Sequence, residues 1–359
     1  MNRRPAEWEP IDAVWLAWPH NADTWPQPKA LEPKALEPRA SSESPWLDRV
    51  VDFYVDWVEA ICRSHPVRIL AIDPVASQCD RRLRHRGVAA SRFELIPIAT
   101  NDCWIRDYAP QWVFGEGNRL SAVNFGYNAW GGKYPPYDLD AAAGGKIARH
   151  LNVPVSRSPL ILEGGAVEAD GNGRALINPQ CVITPTRNDD RWTTDTVAQH
   201  LHQTLGLTEI GWMDECGIAG DDTDGHIDQL ARFIDPHNVV VATADASSPD
   251  HANTRSVATQ LKLWADITKP SVMMHPVPMP APRQIDGRAV PQSYMNFHRL
   301  GADRILVPTF GDPNDDTALQ TLSRLTGVSA EPLDCRDIIW GLGGPHCASM
   351  EQPAPQSAP

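Results

Sequence analysis

Short apolar runs and turn-forming clusters alternate along the chain with a recurring beat. Gln111-Trp112-Val113-Phe114 leads into the polar tip Gly115-Glu116-Gly117-Asn118 and then into an apolar run from Leu120 to Phe125. Ala166 to Ala169, the tip Asp170-Gly171-Asn172-Gly173 and Ala175-Leu176-Ile177 repeat the arrangement. A third copy is opened by His226 and Asp228, turns at Asp235-Pro236-His237-Asn238 and continues as Val239-Val240-Val241. A fourth is opened by Asn296, turns near Gly301-Ala302-Asp303 and runs into Ile305-Leu306-Val307. Gly, Asn and Asp at the tips supply the backbone conformations that tight hairpins require, so each pair of runs predicts a β-hairpin. On this reading Asp170 is a solvated tip residue of no special consequence.

Helical patterns fill the intervals, near Pro45–Arg63, Asp138–Leu151, Arg191–Leu205, His251–Ile267 and Pro313–Thr326. In the last, Asp312 suits an N-cap, Pro313 the first turn and Gly327 the C-terminal stop, with Leu319, Leu322 and Leu325 as the apolar stripe. Each helix is followed by a short strand: Val67 to Leu70, Val153 to Val155, Glu209 to Trp212, Val272 to Met274 and Glu331 to Leu333. An earlier apolar stretch, Ala13 to Trp18, reads as a buried strand rather than a signal peptide because Asp12 and Pro19 flank it. Units of similar pattern lie roughly 50 to 70 residues apart, the mark of an internal pseudo-repeat. If the units surround an axis, the polar residue that opens each hairpin is delivered to one centre. The expectation is a single catalytic domain over residues 1–350. Residues 26–45, with Lys29-Ala30-Leu31-Glu32-Pro33 repeated as Lys34-Ala35-Leu36-Glu37-Pro38, form a Pro-rich surface insertion, and 351–359 a disordered tail.

Composition narrows the partners. The 359-residue chain is 42% hydrophobic, enough to build a large core. A net charge of −13 argues against nucleic acid and anionic membranes and suits a cationic small molecule. Seven scattered cysteines with no close pair favour reduced thiols in a cytoplasmic protein. No apolar run approaches the length of a membrane span. Homo-oligomerisation stays open.

The candidate chemistry sits at the openings of the repeats. Cys347 closes Gly341-Leu342-Gly343-Gly344-Pro345-His346-Cys347, the one cysteine flanked by glycines and a histidine. Glycines let backbone and ligand approach the sulfur. His226 and Asp228, two apart on a strand, would share one face about 7 Å from each other. That pair suits a general acid/base beside an anion; the alternative is a strand-end ion pair. Asp221, Asp222 and Asp224 add negative charge that suits a cation. A metal held by His226, Asp228 and Cys347 is conceivable, but no ligand spacing supports it. Asn101 to Asp107 is dense in polar groups: Arg106 and Asp102 read as ion-pair formers, Cys103 as a small buried residue, and Trp104 as a stacking surface or a core filler. Glu163-Gly164-Gly165 is by itself a turn with an acid. Ser293 to Phe297 is uninformative alone. His346 is expected to face away from Cys347 on an extended segment and is not taken as the base.

Taken in order, the motifs resemble those of the agmatine deiminase and bacterial-type peptidylarginine deiminase family of the guanidine-modifying pentein superfamily. The resemblance runs through Pro5-Ala6-Glu7-Trp8-Glu9-Pro10, Trp15 to Pro19, Trp104-Ile105-Arg106-Asp107, Leu162 to Gly165, Asp222 to Asp228, Ser293 to Phe297 and Gly341 to Cys347. It implies an α/β fold, a five-bladed propeller of ββαβ units around a central funnel. It implies Cys347 as nucleophile, His226 as general acid/base, Asp107 and Asp228 as guanidinium-binding carboxylates, Glu163 as support for the histidine, and Trp104 and Asn296 as substrate-binding pocket residues, with no metal and no cofactor. The implied reaction converts agmatine to N-carbamoylputrescine and ammonia, as in putrescine biosynthesis. Peptidylarginine or another arginine derivative is the alternative substrate, and a non-catalytic guanidine-binding relative or a papain-like amidase the alternative class. Leu342 and Pro345 depart from the family's Gly and aliphatic positions, which touches the loop that shapes the pocket.

Overall fold

The computed structural model describes residues 2–28 and 45–355. Among these, five sheets follow one plan. Gln111–Phe114 pairs antiparallel with Leu120–Gly126, the helix Asp138–His150 crosses over, and Val155–Ile161 returns parallel to Leu120–Gly126. Val167–Ala169, Arg174–Ile177, the helix Thr194–Leu205 and Glu209–Trp212 repeat this pairing. So do Ala231–Asp235, Asn238–Thr243, the helix His251–Ile267 and Met273–Pro278, and His298–Leu300, Arg304–Thr309, the helix Asp315–Thr326 and Ser329–Asp334. The plan follows from geometry: an antiparallel pair needs only a tight turn, whereas a parallel return needs a long crossover, here the helix. The middle strand is covered on both faces, which is why Val239, Val240 and Val241 are all buried rather than alternating.

The fifth sheet joins the two ends of the chain. Ser349–Pro353 pairs antiparallel with Ile11–Ala17, the helix Pro45–Cys62 crosses over, and Val67–Leu70 lies parallel to Ile11–Ala17 with Phe93–Ile96 at its edge. The tail expected to fray from Glu351 is therefore ordered through Pro353. Glu351 is buried and holds the Arg106 guanidinium at 2.8 and 3.0 Å, a partner 245 residues away that local composition does not reveal. The repeated Lys29 to Pro38 segment lies outside the described residues.

Other expectations are corrected in detail. His226, Asp228 and Asn296 do not open strands. Each sits in or beside one 3₁₀ turn, Ile227–Gln229 or Tyr294–Asn296, and the strand starts two residues later. Asp107 likewise lies in the single turn Ile105–Tyr108 and Glu163 immediately before Gly164–Ala166. The site residues thus share a location, one short turn ahead of the first strand of a sheet. The last long helix begins at Asp315, not Pro313, because the Asp315 carboxylate accepts backbone N–H groups of Phe310, Gly311 and Asp312 and keeps that loop unwound. The helix Val75–Arg86 escaped notice because only Cys79 and Leu83 of it are buried, too few for a stripe.

Asp170 is not a solvated tip. Its side chain is buried, accepts N–H bonds from Asn172 and Arg174 and pairs with Arg174 Nε at 2.6 Å. Asp170→Asn should lower stability by roughly 1.5–3 kcal/mol, the usual worth of a hydrogen bond to a charged group. Urea unfolding would measure it, and kcat/KM at a sub-denaturing temperature should stay unchanged.

Candidate active site

Three side chains from the turns ahead of two sheets, Asp107 from one and His226 with Asp228 from another, converge on Gly165 in the turn ahead of a third. A methyl group placed there would lie 2.6 Å from His226 Nδ1, 3.0 Å from Asp228 Oδ2 and 3.1 Å from Asp107 Oδ1, so any other residue would displace all three. Gly164 is equally constrained, by the Arg106 carbonyl at 2.1 Å from its would-be Cβ. These contacts explain the glycine pair after Glu163. Asp107 is held by the Gly165 N–H and by the indole of Trp130, both at 2.9 Å. His226 lies 3.7 Å from Asp107 and 3.9 Å from Glu163, within ion-pair range of both. Glu163 is fully buried and is anchored by Arg187 Nε at 2.7 Å.

The thiol completes the group. Cys347 Sγ accepts from Asn296 Nδ2 at 3.1 Å and lies 3.7 Å from Asp228 Oδ2, with Gln229 Nε2 at 3.8 Å. Asn296 Oδ1 in turn accepts the backbone N–H groups of His346 and Cys347, which fixes the turn that carries the sulfur. Among the described residues, Asp228 Oδ1, Glu163 Oε2, both ring nitrogens of His226 and Gln229 Oε1 are buried without a hydrogen-bond partner. Unpaired buried polar atoms are costly, and a cluster of them around one thiol marks a ligand site.

Electrostatics sharpen that view. Burial alone would depress the His226 imidazolium, but Asp107, Glu163 and Asp228 outweigh it and push its pKa up to about 9. Burial likewise opposes ionisation of Asp228 and Glu163, yet His346 with His226 lowers the first and His226 with Arg187 lowers the second. Asp107 is raised by burial and by the neighbouring Asp228 and Glu163, partly offset by His226. The Cys347 thiol is pushed far up by burial and then by Asp228 and Asp107. Without a cation in the site, the histidine is protonated and the sulfur is a thiol at neutral pH.

Cys347, Asp107 and Trp104 line a cavity of about 590 Å³, which also touches Trp130, Tyr127 and Leu342. Trp104 packs on Trp25 at 5.8 Å and against Gly343, where a Cβ would meet its ring at 2.3 Å. Leu342, in the position flagged by sequence, adopts the left-handed region at φ +70°. The mouth carries Asp222, Lys133, Tyr134 and Arg288. The acidic run beside His226 is mostly committed elsewhere. Asp221 binds the backbone of Thr223 and Gly225, and Asp224 pairs with Arg187 and Lys133, so of the three only Asp222 lines the cavity. Cys103 is fully buried as expected. Among the described residues, no group of three or more His, Cys, Asp or Glu is arranged to hold a metal, and no helix is long and apolar enough to cross a membrane.

All seven residues singled out from sequence are thus brought to one place. Sequence reasoning missed the groups behind them. His346 is not on an extended segment but in a turn, and it does face away from the cavity: Nδ1 bonds Asp228 at 2.7 Å and Nε2 bonds Glu7 at 2.8 Å. Glu7 and Arg106 lay within motifs already noticed. Arg187, Trp130 and Arg232 carried no local signal, since their partners are remote in the chain.

Comparison with known proteins places the fold and the family. The agmatine deiminase of Pseudomonas savastanoi pv. phaseolicola is 29% identical over 382 residues, covering 99% of this chain and 96% of the relative. The agmatine deiminase of Pseudomonas syringae pv. syringae is 28% identical over 376 residues, covering 98% and 95%. The substrate-bound agmatine deiminase of C. jejuni superposes with a TM-score of 0.84 at 24% identity, covering 99% of this chain and 97% of that one, and shares its mixed α/β fold. The Porphyromonas-type peptidyl-arginine deiminase family matches from residue 3 to residue 353, and the chain belongs to that family.

Proposed function

We propose that this protein, a hydrolase acting on C–N bonds, deiminates a guanidine substrate through a covalent bond to Cys347, with agmatine as the preferred substrate. The observation that carries this reading is the convergence of Asp107, Asp228 and His226 on Gly165, beside a thiol, with buried lone pairs left unpaired. Hydrogen bonds join the units: Gly165 N–H to Asp107, Ser293 to Gln229, His346 to Asn296 and Arg106 N–H to Cys347 link site-bearing turns, and Asn178, just beyond the strand Arg174–Ile177, reaches Gly225 beside His226. A ring of five units closed in this way is what a five-bladed propeller requires.

In the proposed mechanism the planar cation lies between Asp107 and Asp228, with Asp228 Oδ1 accepting an N–H bond, and Trp104 beside its face. Fixing the guanidinium carbon against the sulfur can remove up to roughly 7–11 kcal/mol of barrier in favourable cases. The substrate's positive charge offsets the two carboxylates that hold the thiol up, so with substrate bound the thiol releases its proton to solvent and the thiolate forms while His226 stays protonated. Sulfur attacks carbon; the His226 imidazolium protonates one nitrogen; the C–N bond breaks and ammonia leaves. Neutral His226 then takes a proton from water, whose oxygen adds to the S-alkylthiouronium carbon, and the C–S bond breaks to give a ureido product and free Cys347. Glu163, anchored by Arg187, keeps the histidine protonated and oriented. The names of the relatives and the carboxylate of Asp222 near the mouth support agmatine with its second positive charge. Lys133 and Arg288 at the same mouth favour, as a second reading, an arginine derivative whose carboxylate they would meet.

Measuring ammonia and ureido product from agmatine, arginine and an arginyl peptide tests both readings. Agmatine should be turned over fastest, and absence of product from all three would overturn the proposal. Cys347→Ser should abolish turnover with the fold intact, whereas Cys103→Ser should keep most of it. Asp107→Asn and Asp228→Asn should each lower kcat/KM at least about a hundredfold, because the loss removes both a charge and a charge-assisted bond. Alkylation of Cys347 by iodoacetamide in the free protein, followed by peptide mass spectrometry, should be slow at pH 7 and still rising at pH 9. A raised thiol pKa leaves little thiolate below it, so a plateau near pH 7 would contradict the electrostatic account.

A further inference from the structure

The geometry points to His346 as a positioning residue for the reaction: it holds Asp228 from behind the cavity and is itself held by Glu7 of the N-terminal segment. The inference rests on the guanidine reading above. Three residues distant in sequence form one buried line. His346 Nδ1 meets Asp228 Oδ2 at 2.7 Å, across 118 positions, and Nε2 meets Glu7 Oε1 at 2.8 Å, across 339. The His346 ring and its contact with Asp228 are buried, while the contact with Glu7 is part-buried. Glu7 is in turn braced by Arg106 Nη1 at 3.2 Å and by Arg232 Nη2. Arg106 is tied to Glu351 at 2.8 Å, and Arg232 to Glu168 at 3.0 Å.

The consequence lies in which Asp228 oxygen is left over. Oδ2 takes the His346 bond and has Asn296 at 3.3 Å, while Oδ1 is buried with no partner. A donor on Oδ2 fixes the carboxylate plane and so aims Oδ1. The same contact keeps the group ionised: burial pushes the Asp228 pKa up, and the His346 bond is the foremost influence pulling it below its ordinary value, ahead of His226 and Arg232. The charged groups around the ring are Asp228 and Glu7 in contact with it, Arg106 and Arg232 around Glu7, His226 and Asp107 around Asp228, and Glu351, Glu168 and His298 beyond.

Two amide variants separate the two contacts. His346→Asn presents an N–H where Nδ1 stood and keeps the Asp228 bond; His346→Gln reaches the Nε2 position, keeps the Glu7 bond and loses the Asp228 bond. Full pH profiles of kcat/KM on the best guanidine substrate, with melting temperatures, make the comparison. In His346→Gln the acidic limb should move to higher pH, because Asp228 without its donor is protonated more readily. Its kcat/KM at pH 7 should fall about thirtyfold, the worth of one bond to a charged group. His346→Asn should recover most of that loss. Glu7→Gln, a second route should His346→Gln fail to fold, should move the same limb in the same direction by less. An acidic limb unmoved in both His346→Gln and Glu7→Gln, or equal loss in the Asn and Gln variants in step with melting temperature, overturns the positioning role. Wild-type inactivity on every guanidine overturns the functional reading and this inference with it; wild-type activity with an unmoved limb overturns this inference alone.

Discussion

Packing several carboxylates into a closed, water-poor centre is the constraint on which the rest of this structure depends. Asp107, Asp228 and Glu163 are all buried, the first and last within ion-pair range of His226 and Asp228 bonded to His346. Isolated buried charges of one sign are too costly to persist without compensation. The chain answers with partners on the far side of two of the acids: the Arg187 guanidinium behind Glu163 and the His346 ring behind Asp228. Asp107 has no cation behind it and relies on the Trp130 indole and the Gly165 amide. That uneven support matches the electrostatics, with Glu163 and Asp228 held down and Asp107 raised.

The same arrangement sets the chemistry. Negative charge near Cys347 keeps the sulfur protonated and keeps His226 cationic. Such a site rests in its acid form and holds a thiol rather than a reactive thiolate. Under the proposed mechanism a guanidinium would bring the charge that reverses this and make recognition and activation one event. The orphaned lone pairs that cost stability in the free protein are the ones a planar cation would satisfy.

The chain's two ends are part of this machinery. Ser349–Pro353 pairs with Ile11–Ala17, and Glu7 and Glu351 reach Arg106, the neighbour of Asp107. Arg106 also donates to the His346 carbonyl through Nε, so the turn that carries the thiol is tied to the turn that carries Asp107. Contacts from both ends of the sequence therefore meet at Arg106 and tie Cys347 to Asp107.

The sequence by itself determined the repeated hairpin–helix–strand units, because turn residues and apolar periodicity are local. It also brought Cys347, His226, Asp228, Asp107 and Glu163 forward as candidates, as polar residues near the openings of units and through the family resemblance of their motifs. It misjudged the conformation there. His226 with Asp228, and Asn296, look like strand openings by spacing, but 3₁₀ turns form, set by contacts with neighbouring turns rather than by propensity. It also mistook Asp170 for a bare tip, because its burial is not legible even though Arg174 is four residues on, and Glu351 for tail, because its partner Arg106 is 245 positions away. Only the tertiary structure decided which counter-charge serves which acid, and through it the protonation state of the site. Those pairings join residues up to 339 positions apart, and their strength comes from burial, a property that no short segment possesses alone.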